Sequence, residues 1–211
     1  MTRPTTPIPP HARNLRNNYE AALLRIRGLS KLRAMAGLPP SADITPRQWL
    51  SIENRLKVAE MQLAEELRHA AGAHLRSAVH DLHAARCLQH HIGQTDMALA
   101  QAYAFFDTYL DVLTQRHMPE IGPLLRGCDI LALDAIRRPH PALSMVEPPL
   151  VACNRGASAS VLREGVQMPG RNSNPLALIE IPYTRLMEKY NLTSILHESG
   201  HEVMVRLGLR E

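Results

Sequence analysis

Asn191-Leu-Thr-Ser-Ile-Leu-His-Glu-Ser-Gly-His-Glu-Val-Met-Val-Arg-Leu-Gly208 is the stretch on which the reading of this 211-residue chain turns. Leu192, Leu196, Gly200, Val203 and Leu207 recur at helical spacing, which predicts a helix over about 192–207 that buries this stripe. Asn191 stands where an N-cap belongs, and Gly208 where a left-handed residue ends a helix. Inside it, His197 and His201 are four apart, so both imidazoles leave one face and can converge on one cation. Glu198 projects from the same turn. Two neutral imidazoles make part of a zinc shell, and a carboxylate beside the metal can take a proton from a bound water whose pKa the metal has lowered. The pentapeptide His197-Glu-Ser-Gly-His201 therefore points to metal-assisted hydrolysis.

Just upstream, Leu176-Ala-Leu-Ile-Glu-Ile181 is apolar, partly β-branched and bounded by Asn174-Pro175 and Pro182, which predicts a strand. Together the two segments resemble the catalytic region of the HExxH zinc metallopeptidases, the zincins, and their gluzincin branch in particular. The resemblance covers about twenty residues, or about forty with the strand. It implies zinc (Zn²⁺) as cofactor, His197 and His201 as metal ligands, and Glu198 as general base. It also implies that 176–181 is an edge strand lining the substrate cleft.

Catalytic zinc usually takes three protein ligands and a water. One zincin branch continues as HExxHxxGxxH, a pattern absent here because Met204 and Leu207 occupy the last two positions. Gluzincins take a Glu from a later helix, whereas ten residues follow His201 in this chain. The third ligand is then expected from a longer protein of which this is a fragment, from upstream, from another chain, or not at all. Cys153, 44 residues before His197, is similar in spacing to the ligand cysteine of peptide deformylases. The residues around it do not match theirs, so a small buried residue is the simpler reading. Glu211 is a poor third ligand, because the three residues after Gly208 barely retrace the helix back to His201.

Ahead of this region the sequence is helical. Residues 1–11 are rich in Pro and Thr and read as a disordered tail. A helix over about 12–36 carries Leu15, Tyr19, Leu23, Ile26, Leu29 and Leu32 on one face. Thr45-Pro46-Arg47-Gln48 combines an N-cap, Pro at N1 and Gln at N3, and starts a long helix expected to reach about His91. Gly93 is expected to separate it from a helix over about 95–117, and a fourth covers about 123–137. After Pro139-His-Pro141 the composition shifts to Pro, Gly and short β-prone runs at Leu150–Ala152 and Ser160–Leu162.

The fold class is thus mainly α. An N-terminal antiparallel bundle or long helical hairpin over 12–145 precedes a small α+β zincin-like segment over 146–211, which the missing third ligand leaves open to being incomplete. His80, His83, Cys87 and His90 make a stripe on the long helix, but one straight helix cannot wrap a tetrahedral ion with residues spanning three turns. Exposed or interhelical side chains are the simpler reading.

Composition narrows the function. A hydrophobic content of 45% suits a chain that buries a core, and no apolar run approaches the roughly eighteen residues of a membrane span. No hydrophobic signal core follows Met1, and three widely spaced cysteines agree with a reducing compartment, so a cytoplasmic location is expected. A net charge of +4 without basic runs, and only 4% aromatics, argue against a nucleic-acid partner. The expected partner is a peptide or protein substrate, with self-association or another partner through the long helix. Two other readings stay open: a non-catalytic helical interaction protein with a relic HExxH, and a deformylase-like amidase using Cys153.

Overall fold

A computed structural model describes residues 9–37, 44–168 and 173–209. The chain is mainly helical with one small mixed sheet, and it divides into two compact units. Residues 1–35 and 54–104 form the first; 36–53 and 105–211 form the second. The expected boundary near residue 145 falls inside the second unit, because helices before that point supply the core on which the sheet is built. Most of the expected N-terminal tail, and Glu211, lie outside the described residues.

In the first unit, helix α1 (Pro10–Gly28) starts with Pro in its first turn, where the missing N–H costs nothing. It buries Leu15, Ala22 and Ile26, and a 3₁₀ turn leads into the short α2 (Leu32–Met35). Helix α3 (Pro46–His74) and helix α4 (Leu82–His117) each contribute residues to both units. The break between them lies at 75–81, not at Gly93. There Ser77–Val79 forms a 3₁₀ turn and Asp81 accepts the His83 N–H at 2.8 Å, as an N-cap does. Gly93 stays helical because Leu88, Ile92 and Leu99 continue one buried stripe across it, which outweighs the roughly 1 kcal/mol that a helical glycine costs. Arg25 pairs with Asp96 at 2.5 Å, but both are about half exposed, so the pair contributes little.

The second unit opens with the capping box expected from the sequence. Thr45 Oγ1 accepts the Gln48 N–H at 3.2 Å, and Gln48 Oε1 accepts the Thr45 N–H at 2.7 Å. Helix α5 (Gly122–Arg137) precedes strands β1 (Leu150–Asn154), β2 (Ser160–Leu162) and β3 (Leu178–Pro182). Helix α6 (Tyr183–Leu186) and helix α7 (Thr193–Arg206) follow.

The sheet order is β1-β3-β2, with β1 parallel and β2 antiparallel to β3. The strand expected at an edge is therefore the central one; the three-residue β2 takes an edge. β3 is buried almost throughout, as the central strand of a covered sheet is, and β1 is buried from Leu150 to Ala152. Val151, Ile179 and Ile181 share a core with Leu125, Cys128 and Ala132 of α5, Leu186 of α6 and Ile195 of α7. Full burial of Ile195 alone contributes roughly 1.5–3 kcal/mol.

Side chains occupy the outer edge of β1. Asp129 Oδ1 accepts the Val151 N–H at 2.7 Å, Arg116 Nη2 donates to the Val151 carbonyl at 3.0 Å, and Gln115 bonds both the N–H and the carbonyl of Cys153 at 2.7 and 2.9 Å. A sheet edge that would otherwise invite another strand is thereby satisfied. Among the described residues no strand pairs with the outer edge of β2.

Candidate functional site

Helix α7 forms where the sequence places it, but its cap and buried face differ. The turn Lys189–Leu192 leads into it, and Asn191 donates its side-chain amide to Glu188 at 2.8 Å rather than capping the helix. Its end follows the expected pattern. Gly208 has φ +65°, its N–H reaches Val205 O at 3.0 Å, and the Leu209 N–H reaches Met204 O at 2.8 Å, the paired bonds of a Schellman ending. The buried residues are Ile195, Glu198, Ser199, Glu202 and Val203, while Leu196 is 43% exposed. The expected stripe keeps Val203, with Leu192 and Leu207 packed against the cores, but Ile195 takes the buried place expected of Leu196, which turns the helix partly away from that stripe.

That rotation sets the roles of the motif. His197 is exposed and His201 half-buried, with their Nε2 atoms 3.1 Å apart and their rings nearly perpendicular. With metal–nitrogen bonds of about 2.0–2.1 Å, a separation of 3.1 Å corresponds to an angle near 100° at the ion, close to tetrahedral. The pair thus fits two corners of a zinc shell. Without an ion, the same distance is an N–H···N hydrogen bond in which one ring donates. Among the described residues no third His, Cys, Asp or Glu joins them in a group able to hold a metal ion.

Glu198 is 8% exposed and, with His197, lines a cleft of about 400 Å³. Ser158 and Ala159, just before β2, and Arg185, Thr193 and Ser194 complete its wall. Arg185 Nη1 donates to Ser194 Oγ at 2.9 Å, and Nη2 to the Ala157 carbonyl at 3.4 Å. Sequence reasoning missed Arg185 and Ser194, because no local pattern ties them to the HExxH pair; the turn after β3 brings them there.

Behind the motif, Glu202 is 2% exposed and accepts from Arg206 Nε at 2.7 Å, while Arg206 Nη2 reaches Glu164 at 2.6 Å. Burial works against the Arg206 charge, but the two carboxylates outweigh it and raise its pKa. Glu202 Oε2 and Ser199 Oγ are buried without a partner among the described residues.

Cys153 lies in β1 against the apolar core, and burial pushes its thiol pKa up, which disfavours the thiolate a metal would need. The structure does not bring it into a metal-holding group with the histidines. Nor does it gather the histidine stripe into one. His80 precedes α4, and within the helix Cys87 Sγ lies 3.6 Å from His83 Nε2. No helix among the described residues is long and apolar enough to cross a membrane. No protein family, curated relative or solved structure matches the chain.

Proposed function

We propose that this chain carries the catalytic helix of a zinc-dependent metallopeptidase, that its second unit is zincin-like, and that its first unit is arranged as an antiparallel helical bundle. The observation that carries the reading is the convergence of the His197 and His201 Nε2 atoms to 3.1 Å, with His197 and Glu198 lining one cleft. His197 and His201 would hold the ion, with a third ligand from beyond the described residues or from another chain. When bound, zinc lowers the pKa of a water to about 7 and polarises the scissile carbonyl.

Glu198 takes the proton of the attacking water and returns it to the departing amine. Its near-complete burial strengthens its interaction with positive charge developing beside it. The outer edge of β2 offers backbone groups to an extended peptide, whereas Gln115, Arg116 and Asp129 occupy the corresponding groups on β1. The substrate in this reading is a peptide or protein and the location cytoplasmic.

The test is zinc content and peptide hydrolysis in the full-length natural protein. Glu198→Gln should retain zinc and lose about 10²–10⁴-fold in kcat. Alanine at His197 or His201 should release the metal. Absence of stoichiometric zinc, or hydrolysis unchanged by Glu198→Gln, overturns the proposal and leaves the histidines as a hydrogen-bonded pair on a helical interaction protein.

A further inference from the structure

Arg185 differs from the paired arginines of this chain in the partners that hold it. Arg25, Arg47, Arg116, Arg138 and Arg206 each meet a carboxylate. Arg185 is fixed by two neutral acceptors, Ser194 Oγ and the Ala157 carbonyl, and pairs with no carboxylate among the described residues. Its orientation is thus set without a carboxylate in ion-pair contact among the described residues. Two of the five guanidinium N–H groups are used, which leaves a fork of donors suited to a planar anion.

Its position gives that fork a task. Arg185 lines the cleft that holds His197 and Glu198, and among the described residues Glu198 is the one carboxylate lining it. Ser194, which anchors the guanidinium, precedes His197 by three residues and Glu198 by four. One helical turn, roughly 5–6 Å between neighbouring side chains, therefore separates the anchor from the candidate catalytic pair. A peptide advances about 3.3–3.6 Å per residue, so an anion held there lies within one or two residues of the bond at Glu198. Leu186, 5% exposed in the core, fixes the short helix that carries Arg185.

We infer that Arg185 is the specificity residue of this cleft and recognises a substrate carboxylate within one or two residues of the scissile bond. The inference rests on the metallopeptidase reading for what is cut, but its recognition chemistry stands separately. Two sources share that chemistry. An α-carboxylate would make the activity one that trims chain ends; an acidic side chain would make it a cut beside Asp or Glu.

The test uses the full-length chain with zinc added and Glu198→Gln in place, so that probes bind without turnover. Calorimetry compares N-acetyl-trialanine, its C-terminal amide, and the amide of N-acetyl-alanyl-glutamyl-alanine. The favoured carboxylate should bind about 10- to 100-fold tighter than the neutral amide. Arg185→Gln should erase that preference and Arg185→Lys retain part of it, with unchanged circular dichroism in both. Preference for the free acid assigns the α-carboxylate, and preference for the glutamyl amide assigns the side chain; either supports the inference. Equal binding of all three, no binding, or a preference that survives Arg185→Gln overturns it. Arg185-dependent binding of a peptide that the wild-type chain leaves uncut would sink the peptidase reading and leave carboxylate recognition in place.

Discussion

Replacing Arg116 with methionine tests what holds the sheet beneath the candidate site. The Arg116 side chain is 1% exposed and Asp129 16%, and their two bonds of 2.6 and 2.8 Å form a bidentate pair. A third bond, 3.0 Å to the Val151 carbonyl, ties the pair to β1. Arg116→Met removes all three and leaves Asp129 in its place with the Val151 N–H as its remaining donor. Breaking a buried pair from one side costs about 3–5 kcal/mol, or roughly 6–20 °C in Tm for a chain of this size. The single tryptophan, Trp49, is buried in the same unit, so its fluorescence during urea unfolding reports on it.

The pH dependence carries a sign. Burial raises the Asp129 carboxyl above its ordinary 3.8, against the Arg116 guanidinium and the Val151 amide, which both lower it. Removing the guanidinium raises it further, so the folded variant binds this proton more tightly than the unfolded chain does. Stability of the variant should therefore climb as pH falls from 7 through the raised value toward 3.8. A loss below about 1 kcal/mol at pH 7, or one that deepens on acidification, would refute the account.

Three further outcomes are expected. Gly122→Ala should destabilise by about 1–3 kcal/mol, although alanine is ordinarily the better helix former by about 1 kcal/mol. An added Cβ there would lie 2.2 Å from the Arg116 carbonyl oxygen, and thermal unfolding no worse than wild type would contradict this close approach. Asn174, 0% exposed, shares its two Nδ2 hydrogens among the carbonyls of Leu162, Arg163 and Leu176 and accepts from Tyr109, so Asn174→Ala should cost about 2–4 kcal/mol. Hydrogen exchange should then accelerate in the β2–β3 ladder more than in β1–β3; a uniform change would count against the stapling role. Burial, Asp129 and Cys153 push the Cys128 thiol up to about 11, from 9.0, which lowers its thiolate fraction at pH 8 roughly 100-fold. Maleimide labelling followed by peptide mapping should modify half-exposed Cys87 first and Cys128 last, and the reverse order would be incompatible with this burial.

Local signals placed the elements of the second unit closely. The runs 150–152, 160–162 and 176–181 became strands, Thr45 and Gln48 closed the capping box, and Gly208 ended α7, because each depends on dihedral preference or on bonds within a few residues. The break at 75–81 was not legible: it contains neither Gly nor Pro, while Gly93, a stronger local signal, is carried through by buried Leu88, Ile92 and Leu99. The position of β3 at the sheet centre was not legible either, since strand order depends on partners far apart in the chain.

At the candidate site the division is similar. Sequence by itself determined that His197 and His201 share a helical face with Glu198 one residue from the first, because 3.6 residues per turn leave no other arrangement. Tertiary structure decided which way that face points. The cores that receive Ile195 and Val203 bury Glu198 and Glu202 and turn the imidazoles outward, and the fold after β3 delivers Arg185 to the same cleft. Packing of one helix against its neighbours is a non-local choice, and it sets which side chains meet a substrate.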